Sequence, residues 1–393
     1  MITLFPITLR DPNLTQNEGY NLTKATTMRL LFTLLLLPAF AFAQKGDYKV
    51  EGKMSNWKGI DSLTYFVDNK HDTIVAHDGK FSLRFNLEQP ALMYIRKLDF
   101  THEKQVPDVI KIYVEKGTVS VTGTDSLKYA KIKGGPVNTV YEERSDVIIP
   151  LNKHMMELRL AIEKYPKGPQ RDSFAKTVKD DYAATQDSIT NYLLSFVKAH
   201  PHSFIALQTI SDMAGAAVDY TKYNPLFEGI DEWLRKTPLG IAFGERLAIA
   251  RNLAPGAKAP AFTSTDLKGD SLALYTVLKQ GKVTLVDFWA SWCGPCRAEN
   301  PNVVKAYQAY HEKGFNILSV SLDSKHEKWE AAIEKDGMPW YHVSSLKGWE
   351  EPVATLYDIH AVPDNLLLDS NGKVIARGLR GARLEEKLAE LLK

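Results

Sequence analysis

The chain has 393 residues, of which 44% are apolar or aromatic, and its formal net charge is only +2. This composition is that of an ordinary soluble protein, and the near-balanced charge argues against nucleic-acid binding. Its two cysteines, Cys293 and Cys296, lie three positions apart. The chain therefore has no structural disulfide besides any bond between these two residues.

Residues 1–43 are predicted to be an upstream extension followed by an export signal. Met28 and Arg29 precede the apolar run 30–37, and Ala41-Phe42-Ala43 resembles a signal-peptidase cleavage site. The run is shorter than the roughly 20 apolar residues that a membrane-spanning helix needs. We therefore expect cleavage after Ala43 and export across the inner membrane. Residues 1–27 are either an upstream start or a long n-region.

Residues 44–136 are predicted to form a β-rich, sandwich-like domain. Short segments alternate apolar and polar residues and are separated by glycine, proline and aspartate. Asp78-Gly79 between two such segments predicts a tight hairpin. His71 and His77 are expected to be solvated side chains instead of metal ligands.

Residues 137–253 have helical spacing and predict four or five helices interrupted by prolines. A spacer, a subunit interface and a platform for a partner protein are equally compatible with this region. The sequence 253–260, LAPGAKAP, has the proline and glycine content of a domain boundary. The last domain is therefore predicted to comprise residues 254–393.

The stretch 283–301, VTLVDFWASWCGPCRAENP, organises this last domain. Its first part reads as a buried strand and the part from Arg297 onward as a helix, so Cys293 stands at a helix N-terminus. Exposed amides and the helix dipole stabilise an anion there, which lowers the pKa of a thiol. Cys293 is the predicted nucleophile, and Cys296, one turn later, is predicted to resolve the mixed disulfide.

Other uses of a Cys-X-X-Cys motif fit less well. A zinc site needs about two further ligands, and the chain has no second cysteine pair. Attached c-type haem requires histidine after the second cysteine, where this chain has Arg297. A purely structural disulfide closing so short a loop stabilises little. A redox-active disulfide without metal or other cofactor is therefore expected.

The last domain resembles the TlpA/ResA-type thiol-disulfide oxidoreductases, which are related to the AhpC/TSA group. The segments that carry the resemblance are PGAKAPAF at 255–262, VDFWASWCGPCRAENP at 286–301, ILSVSLD at 317–323, AVPDNLLLDSNGKVI at 361–375 and RG at 380–381. The resemblance implies a C-terminal α/β thioredoxin-like fold. The β-rich part resembles a domain of unknown function found in secreted proteins of Bacteroidetes, which implies no activity.

The resemblance also implies roles outside the cysteine pair. Asp287, in an apolar strand, is expected to be buried with a raised pKa, and the family implies that it accepts the proton of the resolving cysteine. Glu299 matches a glutamate near the active site of the ResA branch, although a first-turn helix acid explains it nearly as well. Pro363 matches the family's cis-proline.

Two residues beside these positions are predicted to contact the substrate, Val362 and Trp292. For Trp292, simple packing is an equally good explanation. Asp364 and Asn365 depart from the usual residues after the cis-proline, which leaves the details of substrate contact open.

Three function classes remain: an extracytoplasmic thiol-disulfide oxidoreductase, a peroxiredoxin-like peroxidase, and a non-enzymatic envelope binding protein. The first is favoured because the chain lacks the peroxidatic cysteine setting and keeps an intact C-G-P-C. The Gly-Pro dipeptide resembles that of thioredoxin and favours a protein-disulfide reductase in the periplasm or cell envelope. Cysteine-containing client proteins, with apocytochrome c as a candidate, and a membrane thiol-disulfide electron donor are the expected partners.

Overall fold

The computed structural model describes residues 46–98 and 108–393. The predicted export signal lies outside the described residues. The chain divides into two compact units between Thr139 and Val140. Within the described ranges, no helix combines the length and apolar character needed to cross a bilayer.

The first unit contains one eight-stranded sheet. Its strands are β1 (Gly46–Met54), β2 (Ile60–Val67), β3 (Lys70–His77), β4 (Lys80–Leu87), β5 (Ala91–Lys97), β6 (Val109–Val114), β7 (Gly117–Gly123) and β8 (Lys131–Lys133). Their order in the sheet is β6-β5-β2-β3-β4-β1-β7-β8. The sheet encloses one apolar core, and β1 also contacts β6, which is not its neighbour in the sheet. This confirms the predicted β-rich, sandwich-like domain.

The sequence located the strands of this sheet better than their pairing. The predicted hairpin at Asp78-Gly79 is present, and both residues have positive φ angles of 48° and 72°, as a type I′ turn requires. A β-carbon on Gly79 would lie 1.9 Å from the Met54 carbonyl oxygen. Short strands at this spacing suggest an antiparallel sandwich, whereas β1 and β7 are parallel. Alternation within a strand fixes its buried face but not its neighbour.

The central region is helical, as predicted, but has six helices instead of four or five. They are α1 (Pro136–Glu163), α2 (Pro169–Ala199), α3 (Phe204–Ala214), α4 (Tyr220–Glu228), α5 (Glu232–Arg235) and α6 (Pro238–Asn252). Pro238 is one of the prolines that interrupt the helical spacing, and it separates α5 from α6 because proline cannot donate an amide inside a helix. It occupies the first turn of α6 instead, where the Thr237 hydroxyl oxygen accepts the Gly240 amide at 3.2 Å.

The C-terminal part is α/β, as predicted. Its elements are β9 (Thr263–Thr265), β10 (Ser271–Ala273), α7 (Leu274–Leu278), β11 (Val283–Trp289), α8 (Gly294–Tyr310), β12 (Phe315–Ser321), α9 (His326–Asp336), β13 (Tyr341–Val343), α10 (Pro352–Leu356), β14 (Asp364–Asp369), β15 (Val374–Arg377) and α11 (Ala382–Leu391). Five of the strands form a mixed sheet in the order β13-β12-β11-β14-β15.

The topology places the cysteine motif at the centre of this sheet. Strand β11 is buried along its whole length and pairs in parallel with β12 and antiparallel with β14. Its carboxyl end leads directly into α8. The segment 337–357, between α9 and the loop before β14, contributes the edge strand β13 and the short helix α10.

Candidate active site

The cysteine pair lies at the junction of β11 and α8. Cys293 is the N-cap residue of α8, and its sulfur is bonded to that of Cys296. The Cys296 amide donates to Cys293 Sγ at 3.2 Å. Such an amide stabilises negative charge on the sulfur when the bond is reduced. Cys293 is 4% exposed and Cys296 is 1% exposed, so the first cysteine is slightly the more accessible.

Asp287 lies in β11, six residues before the first cysteine, and its side chain is buried. Burial raises the pKa of the Asp287 carboxyl to about 7. The negative charges of Asp364 and Glu299 act in the same direction, whereas Arg380 and a hydrogen bond from Ser319 lower the pKa. The expected burial and raised pKa are therefore present, and the carboxyl can take up or release a proton near neutral pH.

Two hydrogen bonds in series connect this carboxyl to Ser319 of β12 and to Trp340, the residue before β13. The Ser319 hydroxyl donates to Asp287 Oδ2 at 3.3 Å, and Trp340 Nε1 donates to Ser319 Oγ at 2.9 Å. Because the indole occupies the acceptor side of the hydroxyl, the serine proton is directed toward the aspartate. No sequence pattern indicates this arrangement, since the indole and the carboxyl are far apart along the chain.

We expect Ser319→Ala to raise the pKa of the Asp287 carboxyl above its value of about 7. The substitution removes a hydrogen bond that favours the charged form, and the upward shift should be up to about one pH unit. Titration of the Asp287 carboxyl followed by carbon NMR measures the shift.

Thr284→Val is the matched control for this substitution. It removes another buried hydroxyl from the same sheet, one without a hydrogen-bond partner among the described residues. An unchanged titration in Ser319→Ala, or an equal shift in Thr284→Val, would contradict the assignment.

Glu299 lies one turn into α8 and is half-buried. Its Oε1 accepts the Gly381 amide at 2.7 Å, and its Oε2 accepts Asn302 Nδ2 at 3.0 Å. The carboxylate thus joins α8 to the start of α11, and its charge also acts on Asp287. The structure therefore brings this glutamate near the buried acid while giving it hydrogen bonds of its own.

The loop before β14 passes directly by the cysteines. The Val362–Pro363 bond is cis, as the resemblance implied. The Val362 carbonyl oxygen lies 3.6 Å from Cys293 Sγ, and Arg380 donates to the Pro363 carbonyl. The cis-proline loop therefore lies next to the Cys293 sulfur and binds the positively charged side chain of Arg380.

The two unusual residues after the proline have structural partners. Asp364 forms an ion pair with Arg377 at 2.7 Å. Asn365 accepts the Leu379 amide at 2.9 Å and donates to the Leu379 carbonyl at 2.8 Å. Both residues fasten β14 to the chain that follows it, so they lie beneath the loop and not on its exposed side.

Trp292 is 55% exposed, which argues against the simple packing alternative for this residue. Its ring centroid lies 6.0 Å from that of Trp349, which is 47% exposed. Trp349 was not among the predicted site residues. Nothing local could have identified it, because it comes from the segment before α10.

Two further side chains support the cysteine loop and were also missed. Asp323, at the end of β12, accepts the Ser291 amide at 2.9 Å and its hydroxyl at 2.5 Å. Arg297 donates to the Ser291 carbonyl at 3.1 Å and pairs with Asp336. These contacts fix the backbone just before Cys293. The only sequence signal was the position of Arg297 directly after the motif.

The described residues contain no group of three or more histidine, cysteine, aspartate or glutamate side chains that could hold a metal ion. His71 and His77 both lie in β3 with exposed side chains. The chemistry that this arrangement supports is thiol-disulfide exchange. A cysteine pair at the N-terminus of a helix, above a central mixed sheet and beside a buried acid, defines the class of thiol-disulfide oxidoreductases.

Comparison with known proteins shows which members of this class the chain resembles. The AhpC/TSA family matches residues 255–377, and the domain of unknown function DUF4369 matches residues 48–141. The thiol-disulfide oxidoreductase ResA of Bacillus thuringiensis subsp. konkukian is 32% identical over 138 residues, which are 35% of this chain and 76% of the relative. ResA of Geobacillus kaustophilus is 32% identical over 132 residues, 34% of this chain and 71% of the relative.

Two solved structures are also similar. A thioredoxin domain of a thiol-disulfide oxidoreductase from Bacteroides vulgatus is 40% identical, with a TM-score of 0.34, over 36% of this chain and 99% of that chain. A thiol-disulfide oxidoreductase from Bacteroides fragilis is 37% identical, with a TM-score of 0.33, over 34% of this chain and 99% of that chain.

 The chain belongs to the ResA family of thiol-disulfide oxidoreductases, as the ResA relatives show.

Proposed function

We propose that this chain works as a protein-disulfide reductase in the periplasm or cell envelope. The observation that carries the proposal is the buried acid next to the cysteine motif. The charges of Asp364 and Glu299 act on Asp287 together with that of Arg380, and Asp364 is itself paired with Arg377. Nearby negative charge disfavours a thiolate, so it does not stabilise the reduced form in the way that a strong oxidant requires.

The proposed reaction uses the two cysteines in turn. The Cys293 thiolate attacks one sulfur of a client disulfide and forms a mixed disulfide, and the first client thiolate leaves. Asp287 takes the proton from Cys296, whose thiolate then attacks Cys293 Sγ and releases the second client thiolate. The client gains two electrons, and the protein is left with the Cys293–Cys296 bond.

The other predicted site residues have positioning and binding roles in this proposal. Glu299 adds negative charge near the buried acid, and Pro363 shapes the loop beside the sulfur. Val362 offers its backbone to an extended client segment, and Trp292 contributes exposed apolar surface at the entrance. Three observations support these roles: the Val362 carbonyl lies 3.6 Å from Cys293 Sγ, Trp292 is exposed next to Cys293 in the chain, and the charge of Glu299 acts on Asp287.

The cellular setting is also part of the proposal. Export by the signal at 28–43 would place the mature chain outside the cytoplasm, with domain limits of 44–136, 137–253 and 254–393. Cysteine-containing clients, with apocytochrome c as one candidate, would be reduced there. A membrane thiol-disulfide electron donor would then return the protein to its dithiol form.

Equilibration of the purified protein with glutathione or dithiothreitol buffers tests the direction. We expect a midpoint potential near that of thioredoxin, about −270 mV, and more negative than the value of about −180 mV for protein disulfide isomerase. A more positive midpoint would contradict the reductase proposal. Insulin reduction and peroxide consumption, assayed side by side, separate this activity from that of a peroxidase.

A further inference from the structure

The last helix of the central region shares its packing with the redox domain. Leu253, which follows α6, belongs to the same buried apolar cluster as Cys293 and Cys296, and Ile249 of α6 packs against that cluster. The helical region and the redox domain also lie within one compact unit. A change in α6 can therefore reach the core that supports the cysteines.

Arg246 of α6 extends this contact to the active-site loop. Its Nε donates to Asp358 Oδ2 at 2.9 Å, while Nη1 and Nη2 donate to the carbonyls of Gly215 and Ala216 at 2.9 and 3.1 Å. One guanidinium thus joins the turn after α3 to a carboxylate of the redox domain. Its planar fork suits such simultaneous bonds better than a lysine would.

Asp358 stands at the beginning of the loop that carries the cis-proline. Its side chain is 6% exposed, and Oδ1 also contacts His360 Nε2 at 2.6 Å. The backbone of Asp358 has a positive φ of 49°, which is uncommon for a residue with a side chain. A buried carboxylate that loses its cation must reorganise or become exposed, which would move this backbone.

The loop is short, so a displacement at its start reaches the reacting sulfur. Four residues after Asp358, the Val362 carbonyl lies 3.6 Å from Cys293 Sγ, and Pro363 follows. The outer side of the loop is open, since His360 and Ala361 are exposed. The loop is therefore held at its two ends: at Asp358, where Arg246 binds, and at Pro363, whose carbonyl accepts from Arg380.

We propose that Arg246 is a positioning residue for thiol-disulfide exchange, through which the helical region holds the Val362–Pro363 loop in register with Cys293 and a bound client. This gives the helical region a part in the redox reaction besides that of a spacer. The inference rests on the proposed docking of clients along Val362 and on the exchange activity of the family.

The test compares Arg246→Met with Arg251→Met, which removes an exposed arginine further along the same helix. We expect Arg246→Met to raise the KM for insulin about tenfold, because a displaced loop loses contacts that bind the client equally before and during the reaction. The rate with cystamine, a small disulfide that needs no docking surface, should stay within about twofold, as should all constants of Arg251→Met.

A double-mutant cycle with Asp358→Asn separates positioning from general destabilisation. If Arg246 acts through the buried carboxylate, Arg246→Met should have much less effect in the Asp358→Asn background than in the wild type. Asp358→Asn is nearly isosteric and provides a second test if Arg246→Met does not fold. This single variant is also expected to raise the KM for insulin.

Two outcomes would overturn the inference. One is an unchanged KM for insulin in both single variants. The other is an Arg246→Met variant that loses the same fraction of its activity with insulin and with cystamine, and for which this loss is as large in the Asp358→Asn background as in the wild type. Destabilisation alone would give that result. Failure of the proposed reductase function would give a different result. The wild-type protein itself would then react with cystamine but leave insulin intact. In that case, the KM values of the wild type and the variants would be compared for the reverse reaction, the oxidation of reduced insulin.

Discussion

Replacing Cys293 with serine is expected to lower the rate of disulfide reduction at least about 10³-fold, because the remaining thiol, Cys296, lies inside α8 and is only 1% exposed. The Cys293 sulfur is the N-cap of α8 and receives the Cys296 amide at 3.2 Å. Both features favour its thiolate over that of the second cysteine. Insulin reduction with dithiothreitol as the electron source measures the loss.

Cys296→Ser provides the matched control for this variant. Its attacking sulfur remains, so it should react once with a client disulfide and then stay joined to the client, because the resolving thiol is missing. Mass spectrometry under non-reducing conditions detects the adduct. In the reduced wild-type protein, iodoacetamide should label Cys293 first. An adduct trapped by Cys293→Ser instead, or faster labelling of Cys296, would reverse the two roles.

Asp287→Asn is expected to slow the resolution of the mixed disulfide by roughly 10²-fold at pH 8, the effect typical of losing a general base. The carboxyl has a pKa raised by burial to about 7, so it is mostly ionised at this pH and can accept the Cys296 proton. In the wild-type protein, the resolution rate should climb as the pH rises through about 7. The asparagine variant should lack this rise, which stopped-flow kinetics between pH 6 and 9 would show.

The same substitution should stabilise the fold at alkaline pH. The folded-state pKa of about 7 lies above the ordinary value of 3.8, so the buried charge costs stability that grows from about pH 4 and is complete above about pH 7. This difference corresponds to roughly 4 kcal/mol at pH 8. Denaturant unfolding at pH 8 and pH 4 measures it, and the gain should disappear at the lower pH.

Opposite effects on activity and stability distinguish a functional acid from a structural one. A variant that is slower but more stable cannot owe its slowness to unfolding. Asp369→Asn is a suitable control, because that aspartate lies at the far end of β14 and caps a turn by accepting the Asn371 and Lys373 amides. Unchanged resolution rates in Asp287→Asn across the pH range would contradict the base assignment.

The sequence alone determined the parts of this protein that depend on neighbouring residues. The apolar run of β11 followed by C-G-P-C at a helix start predicted the strand, the helix and the cysteine chemistry, because these follow from local periodicity and capping. The burial of Asp287 was predictable for the same reason, since apolar residues flank it on both sides within the strand.

The tertiary structure decided the contacts between residues that are distant along the chain. Ser319 lies 32 positions from Asp287, and Arg246 lies 112 positions from Asp358. Neither pair leaves a pattern in the sequence, because a polar side chain on a strand or helix reveals which face it occupies but not which partner it meets. Which partner it contacts depends on the order of strands in the sheet and on the packing of α6, and both form only when the whole chain folds.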